Sequence, residues 1–443
     1  MKKIFIIVLS LLLFFLFSYF LFPSNSKAAT LEVGAGRTYS TIQAALNLAV
    51  AGDTVLIYAG TYAEFCTLGT DCPVTSLGAD AGGTTNIMLV NDGTPSAYIT
   101  IKSAGDGAVI IDGQSARTYN LYALGRDYYS IEGIQFKDAV NTSLKYVGTG
   151  ASPYISNGVK ITGNTFTGGA VINGINIDNS GAMTNNPVEI KNNTLTYSLC
   201  TDTAIEVDDA YNALIQNNTV SGCDQGIYSH PNSEGTIIER NTVTASATDL
   251  TGIFIRDAAN VIVRYNLIKG AFPNYGIYFQ DSAPTVAGVQ IYNNTVDCDS
   301  SGSTGIYSAQ TWATVYNNIM YQCFVGIRGI DDILLPAGQP GYNIFYGGTY
   351  QYYDQISVVN IWPIGTGNLT SDPLFVSAGT DYRLQSSSPA IDAGDPATSS
   401  GIDYAGTIVP QGSRADIGAF EYISAGPPPD TTPPSAPTGL TAQ

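Results

Sequence analysis

An all-β solenoid, one chain wound into a coil of short parallel strands, is the fold this sequence predicts, and three repeating signals predict it. Eight asparagines, Asn164, Asn193, Asn218, Asn241, Asn266, Asn294, Asn318 and Asn343, recur at intervals of 23 to 29 residues. Self-similarity at a period of roughly 20 to 50 residues marks a solenoid, propeller or array. Each Asn closes a short run in which apolar and polar residues alternate, as in residues 188–193, 289–294 and 313–318; period two is the strand signature. A second column follows in each repeat. Gly174, Ala204, Gly226, Gly252, Gly276, Gly305 and Gly326 each precede an isoleucine: Ile175, Ile205, Ile227, Ile253, Ile277, Ile306 and Ile327.

One coil cannot bury its own apolar face, whereas stacked coils bury a continuous core. The isoleucines are therefore expected to form an internal stack. The asparagines are expected to form a ladder in which each amide bonds its neighbour one coil away. That ladder would sit at tight turns, where Asn also tolerates left-handed dihedrals, and its role would be structural. The two columns resemble the right-handed parallel β-helix of the pectin-lyase-like proteins over residues 30–350. The resemblance implies a single-stranded right-handed parallel β-helix with three strands per coil. The run before each Asn would be the second strand, the Gly-Ile run the first, and any groove would follow the outer face of the first. It is specific for fold rather than activity, because many chemistries share the fold.

In chain order, residues 1–28 read as a secretory signal: Lys2 and Lys3, an apolar run over 4–22, then Ser26-Lys27-Ala28. This places the protein outside the cell or at its surface, with no membrane association after cleavage; an uncleaved anchor is the alternative. Residues 38–49 predict a helix with Ile42, Ala45, Leu46 and Ala49 on one face, and resemble an N-terminal capping helix that covers open strand edges. Residues 54–58, 99–102, 109–112 and 131–136 read as early coils. Residues 351–424 break the period. Ser388-Pro-Ala-Ile-Asp-Ala-Gly394 and Asp416-Ile-Gly-Ala419 resemble the choice-of-anchor Q module, read here as a C-terminal cap. Residues 425–443 read as a Pro-rich linker and the start of what resembles a fibronectin type III module, so the sequence reads as a piece of a longer protein.

The segment before cleavage holds Lys2, Lys3 and Lys27 and no acids, leaving 15 basic against 36 acidic residues. That balance excludes nucleic acid, which needs a basic face. It also disfavours unaided binding of a polyanion such as pectate or alginate, a conflict that a divalent cation would resolve; solubility alone is the plainer explanation. A monomer is expected. Six cysteines in an exported chain permit disulfides. Cys66 and Cys72 bracket a short loop, while Cys200–Cys223 and Cys298–Cys323 are each one coil apart. Stacked strands lie about 4.8 Å apart, within the Cα range of a disulfide, so these three pairings are expected.

Along the outer face of the first strand, successive coils should present Asn176/Asp178, Glu206/Asp208, Tyr228/His230, Phe254/Arg256, Tyr278/Gln280, Tyr307/Ala309 and Arg328/Ile330, with Asp209, Asp257 and Asp281 at the following turns. Asp178, Glu206, Asp208 and Asp209 gather oxygens suited to Ca²⁺. His230, Arg256 and Tyr228 are the candidate acid–base groups. Tyr278, Tyr307, Phe254 and Gln280 form a strip on which sugar rings could stack. The segment 196–203, with Asp202, reads as a loop beside this face.

Three functions fit an extracellular polysaccharide partner. The first is a Ca²⁺-assisted lyase or related uronate epimerase, in which the cation acidifies the proton beside a carboxylate, Arg256 or His230 removes it, and Tyr228 protonates the leaving oxygen. The positions resemble pectate lyases without any of their local motifs. The second is a glycoside hydrolase using Asp178 and Asp208, one coil apart, although the polygalacturonase motifs are missing. The third is a non-catalytic glycan-binding or structural surface protein, in which the aspartates are turn formers, His230 beside Pro231 is a turn residue, and the tyrosines cover a pleated face.

Overall fold

The computed structural model describes residues 27–70, 72, 82–148, 158–178, 187–245, 250–281, 286–299, 302–309, 313–329, 340–354, 365–397 and 401–424. The apolar leader (residues 1–26), the Pro-rich linker and the start of the fibronectin-like segment (425–443) lie outside them, as does Ile330. The chain is an all-β solenoid of parallel strands. Eleven strands stack into one sheet, from Thr30–Val33 through Lys160–Thr162, Glu189–Lys191 and Leu214–Gln216 to Thr314–Tyr316. These are the runs that precede each Asn, and we call this stack sheet A. The residues after each Asn form a second stack, sheet B, including Thr242–Ala245, Leu267–Gly270 and Ile319–Tyr321. The Gly-Ile runs form the third, sheet C, including Asn173–Asp178, Thr251–Arg256, Tyr275–Gln280, Thr304–Ala309 and Val325–Gly329. Some strands run through the corner between sheets B and C. Thr194–Asp208 is one of them, so residues 196–203 are strand, with register shifts on either side of Cys200, rather than a loop.

Register explains both columns. Ile175, Ile205, Ile227, Ile253, Ile277, Ile306 and Ile327 are fully buried in one continuous core. The small residue ahead of each sits where the coil turns inward: a Cβ at Gly252 would lie 2.5 Å from the Gly276 carbonyl oxygen and 2.7 Å from Ile268. The Asn ladder is continuous. Asn241 Nδ2 donates to Asn266 Oδ1 at 3.0 Å and to the Ile215 carbonyl at 2.9 Å, while its Oδ1 accepts from the Asn218 backbone N–H and side-chain amide at 2.9 and 3.0 Å. The pattern repeats from Asn164 through Asn343 and extends one further coil to Asn368. The left-handed residue is not the ladder Asn but the one before it. Asn192, Asn217, Arg240, Tyr265, Asn293, Asn317 and Tyr342 all have φ between 52° and 56°. The turn needs the strained backbone one position early, so that the ladder amide can point into the coil.

All three disulfides form as the spacing predicts: Cys66–Cys72, Cys200–Cys223 and Cys298–Cys323, with Cα separations of 5.0, 4.3 and 4.8 Å. The helix is shorter than expected, Ile42–Leu46, and is started by Thr41, whose hydroxyl accepts from Ala44 N–H, and by Glu64, whose carboxylate accepts from Ile42 and Gln43. Ile42, Ala45, Leu46 and Ala49 are buried in the core, and the Gln43 amide bonds both the N–H and the carbonyl of Met88. Among the described residues no helix is long and apolar enough to cross a membrane.

Residues 351–424 were expected to cap the last coil, but Tyr350–Asp354 is still a solenoid strand, paired with Val325–Gly329, and residues 372–424 follow it. They instead run back along the outside of sheet B. The reason lies in its outward column, which reads Thr165, Thr194, Thr219 and Thr242 over the early coils, then Leu267, Thr295, Ile319 and Ile344. Thr194 and Thr219 are exposed, whereas the last four are buried under the returning segment. Phe375, Tyr382, Leu384, Ile417, Ala419 and Phe420 pack with Leu267, Ile319 and Ile344. Polar anchors hold the seam: Tyr382 hydroxyl to Asp297 at 2.6 Å, Asn293 Nδ2 to the Asp416 carbonyl at 2.8 Å, and Arg240 to the Ile402 carbonyl at 3.3 Å.

Candidate functional site

Sheet C carries the predicted residues on its outer face in one register: Lys145, Asn176, Glu206, Tyr228, Phe254, Tyr278, Tyr307, Arg328, Tyr353. Two residues further along each strand lies a second row, in which Asp178 pairs with Asp208 and Arg256 pairs with Gln280, itself paired with Ala309. The side chains converge at one point. Glu206 Oε1 lies 2.8 Å from His230 Nε2. Glu206 Oε2 accepts from Asn173 Nδ2 at 2.7 Å and from Asn176 Nδ2. A carboxylate so held orients the imidazole through Nε2 and turns Nδ1 toward Asp208. Nδ1 lies 3.8 Å from Asp208 Oδ2. The Tyr228 ring packs on the imidazole with centroids 3.7 Å apart. Arg256 bonds the Tyr228 hydroxyl and lies 3.5 Å from Asp257.

The electrostatics follow from burial and from like charges. Burial drives the Asp208 carboxyl up to about 6, opposed by His230 and reinforced by Asp209, Asp178 and Glu206. Burial also raises Asp202, with Glu206 adding to the shift. The Tyr228 hydroxyl is pushed up by burial and drawn back by its bond to Arg256. Arg256 is raised in turn by Tyr228, which makes it a fixed cation rather than a proton acceptor.

The four acids expected to hold Ca²⁺ have other neighbours here. Glu206 is taken by His230 and two amides, Asp178 lies 3.7 Å from Lys145 Nζ, and Asp209 holds φ 52° as the turn after the strand. Among the described residues no three His, Cys, Asp or Glu side chains are grouped to hold a metal ion. The rings of the aromatic strip are engaged with one another. Tyr228, Phe254, Tyr278 and Tyr307 stack on one another at 4.4, 4.7 and 5.0 Å with ring planes 2° to 17° apart. Parallel strands place identical positions directly above each other, so ring faces meet and only the ring edges point outward. Lys145, Asn173 and Asn176 were not foreseen as site residues. Lys145 donates to Asn176 Oδ1 at 2.7 Å and anchors this corner. Their signal was the register itself, since Asn176 lies one coil before Glu206.

A cleft of about 380 Å³ opens further along sheet C, lined by Phe324, Arg328, Tyr350 and Tyr353. A larger one of about 540 Å³ lies away from the acid–base cluster, at the seam of Asn217, Arg240 and Tyr404.

Several solved structures are similar to this chain. The solved complex of XylC with xylose superposes with a TM-score of 0.50 at 12% identity, covering 89% of this chain and 98% of that one. Pectate lyase Pel9A gives a TM-score of 0.41 at 15% identity, covering 90% and 97%. A mannuronic acid specific polysaccharide family 6 lyase from human gut microbiota gives 0.41 at 13%, covering 74% and 79%. At these identities the likeness concerns fold. No curated protein matches the chain. Residues 149–320 match the family model described as right handed beta helix region, and the fold of the chain is a right-handed parallel β-helix.

Proposed function

We propose that this protein is an extracellular polysaccharide lyase that cleaves a uronate-containing chain by β-elimination, with His230 as the base. The observation that carries this reading is the 2.8 Å contact from Glu206 to His230, with Glu206 itself held by Asn173 and Asn176. An imidazole oriented by a buried carboxylate is the arrangement general-base catalysis requires. Arg256, half exposed on the same face, pairs with the substrate carboxylate in place of a cation. His230 Nδ1 takes the proton from the carbon beside that carboxylate. The carbon–oxygen bond to the leaving sugar breaks as the double bond forms, and the Tyr228 hydroxyl delivers its proton to the departing oxygen. The phenolate left behind is stabilised by Arg256. The proton on His230 restores the phenol before the next turnover, so protons balance. An exported location is supported by the three disulfides.

A second reading, a glycoside hydrolase, is favoured by Asp208. Its carboxyl, pushed up to about 6, stands directly across from Asp178 at a strand spacing of about 4.8 Å, close to the roughly 5 to 5.5 Å of a retaining pair.

The purified protein should be incubated with polygalacturonate, alginate and glycosaminoglycans, with Ca²⁺ or with a chelator, while ultraviolet absorbance is followed. An unsaturated product that forms in chelator and is lost in His230→Ala is the expected result. New reducing ends without absorbance would move the assignment to hydrolysis. Retention on a glycan with neither product would leave a binding protein.

A further inference from the structure

Arg328 stands on the same outer row as Tyr228, four coils further along. Its guanidinium has no carboxylate partner and makes no hydrogen bond among the described residues. It lies over the rings of Tyr307 and Tyr353, 5.1 and 5.9 Å from their centroids. Its Nε is shielded from solvent and unsatisfied. A buried donor without a partner calls for an explanation, and the same side chain lines the 380 Å³ cleft. Phe324, 45% exposed, stands edge-on to Tyr350 at 84°. The pair is T-shaped rather than face-to-face, in contrast to the rings from Tyr228 to Tyr307. A cation with no ion pair among the described residues, beside an exposed aromatic ring in a chain with twice as many acids as bases, suits one carboxylate-bearing sugar ring.

We infer that Arg328, with Phe324 and Tyr350, forms a distal subsite for a uronate residue of a bound polyuronate chain, an inference that rests on the lyase reading for the identity of that chain. Four coils span about 19 Å at strand spacing. A chain reaching from His230 to Arg328 therefore needs about five sugars if each advances by about one coil.

The test measures calorimetric affinity of the full-length protein carrying His230→Ala, with and without Arg328→Gln, for uronate dimers and hexamers. The hexamer should bind about tenfold more weakly without the guanidinium, as loss of one charge-assisted contact implies, while the dimer is unchanged. Arg328→Lys should recover part of the loss, and an unchanged unfolding midpoint excludes a folding defect. Equal hexamer affinity with and without Arg328 overturns the subsite. So does a neutral hexasaccharide, or a sulfated one bound in preference to uronate, showing the same Arg328 dependence. Failure of the lyase reading looks different: hexamer binding that depends on Arg328 in a protein that forms no unsaturated product. Turnover of long chains whose KM ignores Arg328→Gln would retain the lyase and remove the subsite.

Discussion

Glu206, His230 and Asp208 sit within one small patch, and burial sets each of them a different task. Glu206 is the most enclosed and is held by amides, so it orients the imidazole; Asp208 is left partly desolvated among three other acids. Its carboxyl is raised from an ordinary 3.8 to about 6. The folded protein therefore holds a proton there that the unfolded chain has already released. Between about pH 4 and pH 6 the native state binds more protons, and stability must fall as pH rises through that window. Asp208→Asn removes this decline. The variant should gain on the parent between pH 4 and 7 in urea midpoints, and parallel curves would contradict the assignment. The residue types were legible in the sequence, since strand alternation put His230, Glu206, Tyr228 and Arg256 on one face. Their partnerships were not. Alternation says which face a side chain occupies, but whether Glu206 turns to a cation or to His230 depends on rotamers fixed by Asn173 and Asn176.

At the level of the coil, the ladder and the disulfides carry opposite kinds of stability. Asn241→Ala would strip partners from the Asn218 N–H and amide and from the Ile215 carbonyl, all buried. With each orphaned group costing about 1 to 3 kcal/mol, a loss of about 3 kcal/mol or more is expected by denaturant titration. A cost below about 1 kcal/mol would mean that water replaces the amide. Cys200–Cys223 joins the coil of Glu206 to that of His230 across a separation of 23 residues, and closing such a loop is worth about 3 kcal/mol through the unfolded state. Replacing both cysteines by serine should lower stability by that amount, read from thermal or urea unfolding, without moving the pH profile of turnover. Coil boundaries were readable because ladder and core share one period. The turn was misplaced by one residue because Asn is favoured both as a left-handed turn residue and as a ladder amide, and in Asn192-Asn193 or Asn317-Asn318 the two roles fall on neighbours.

For the molecule as a whole, the returning C-terminal segment could not be read from periodicity, because it obeys none. Its trace in the sequence is indirect: the change from Thr219 and Thr242 to Leu267, Ile319 and Ile344 in the outward column of sheet B, apolar side chains that a bare solenoid would leave in water. Removing residues 372–424 should expose those three, at a cost of roughly 5 kcal/mol or more from their burial alone. The shortened protein should bind a hydrophobic dye and associate in solution, while the Glu206–His230 contact on sheet C is kept. A monomeric, dye-silent product would show that the segment contributes little.

That segment has a mechanical consequence. Coils that touch only their neighbours can open one at a time, like links of a chain. From Arg240 to Ile344, however, successive coils share a single partner through Tyr265, Leu267, Asn293, Thr295, Asn317 and Ile319. A splint of this kind turns independent links into one beam that yields all together or not at all. Glu206 and His230 lie just before the splint begins, on two coils that the Cys200–Cys223 disulfide clamps together. The pair therefore sits at a joint, between a covalent clip on its own coils and the beam that starts on the next.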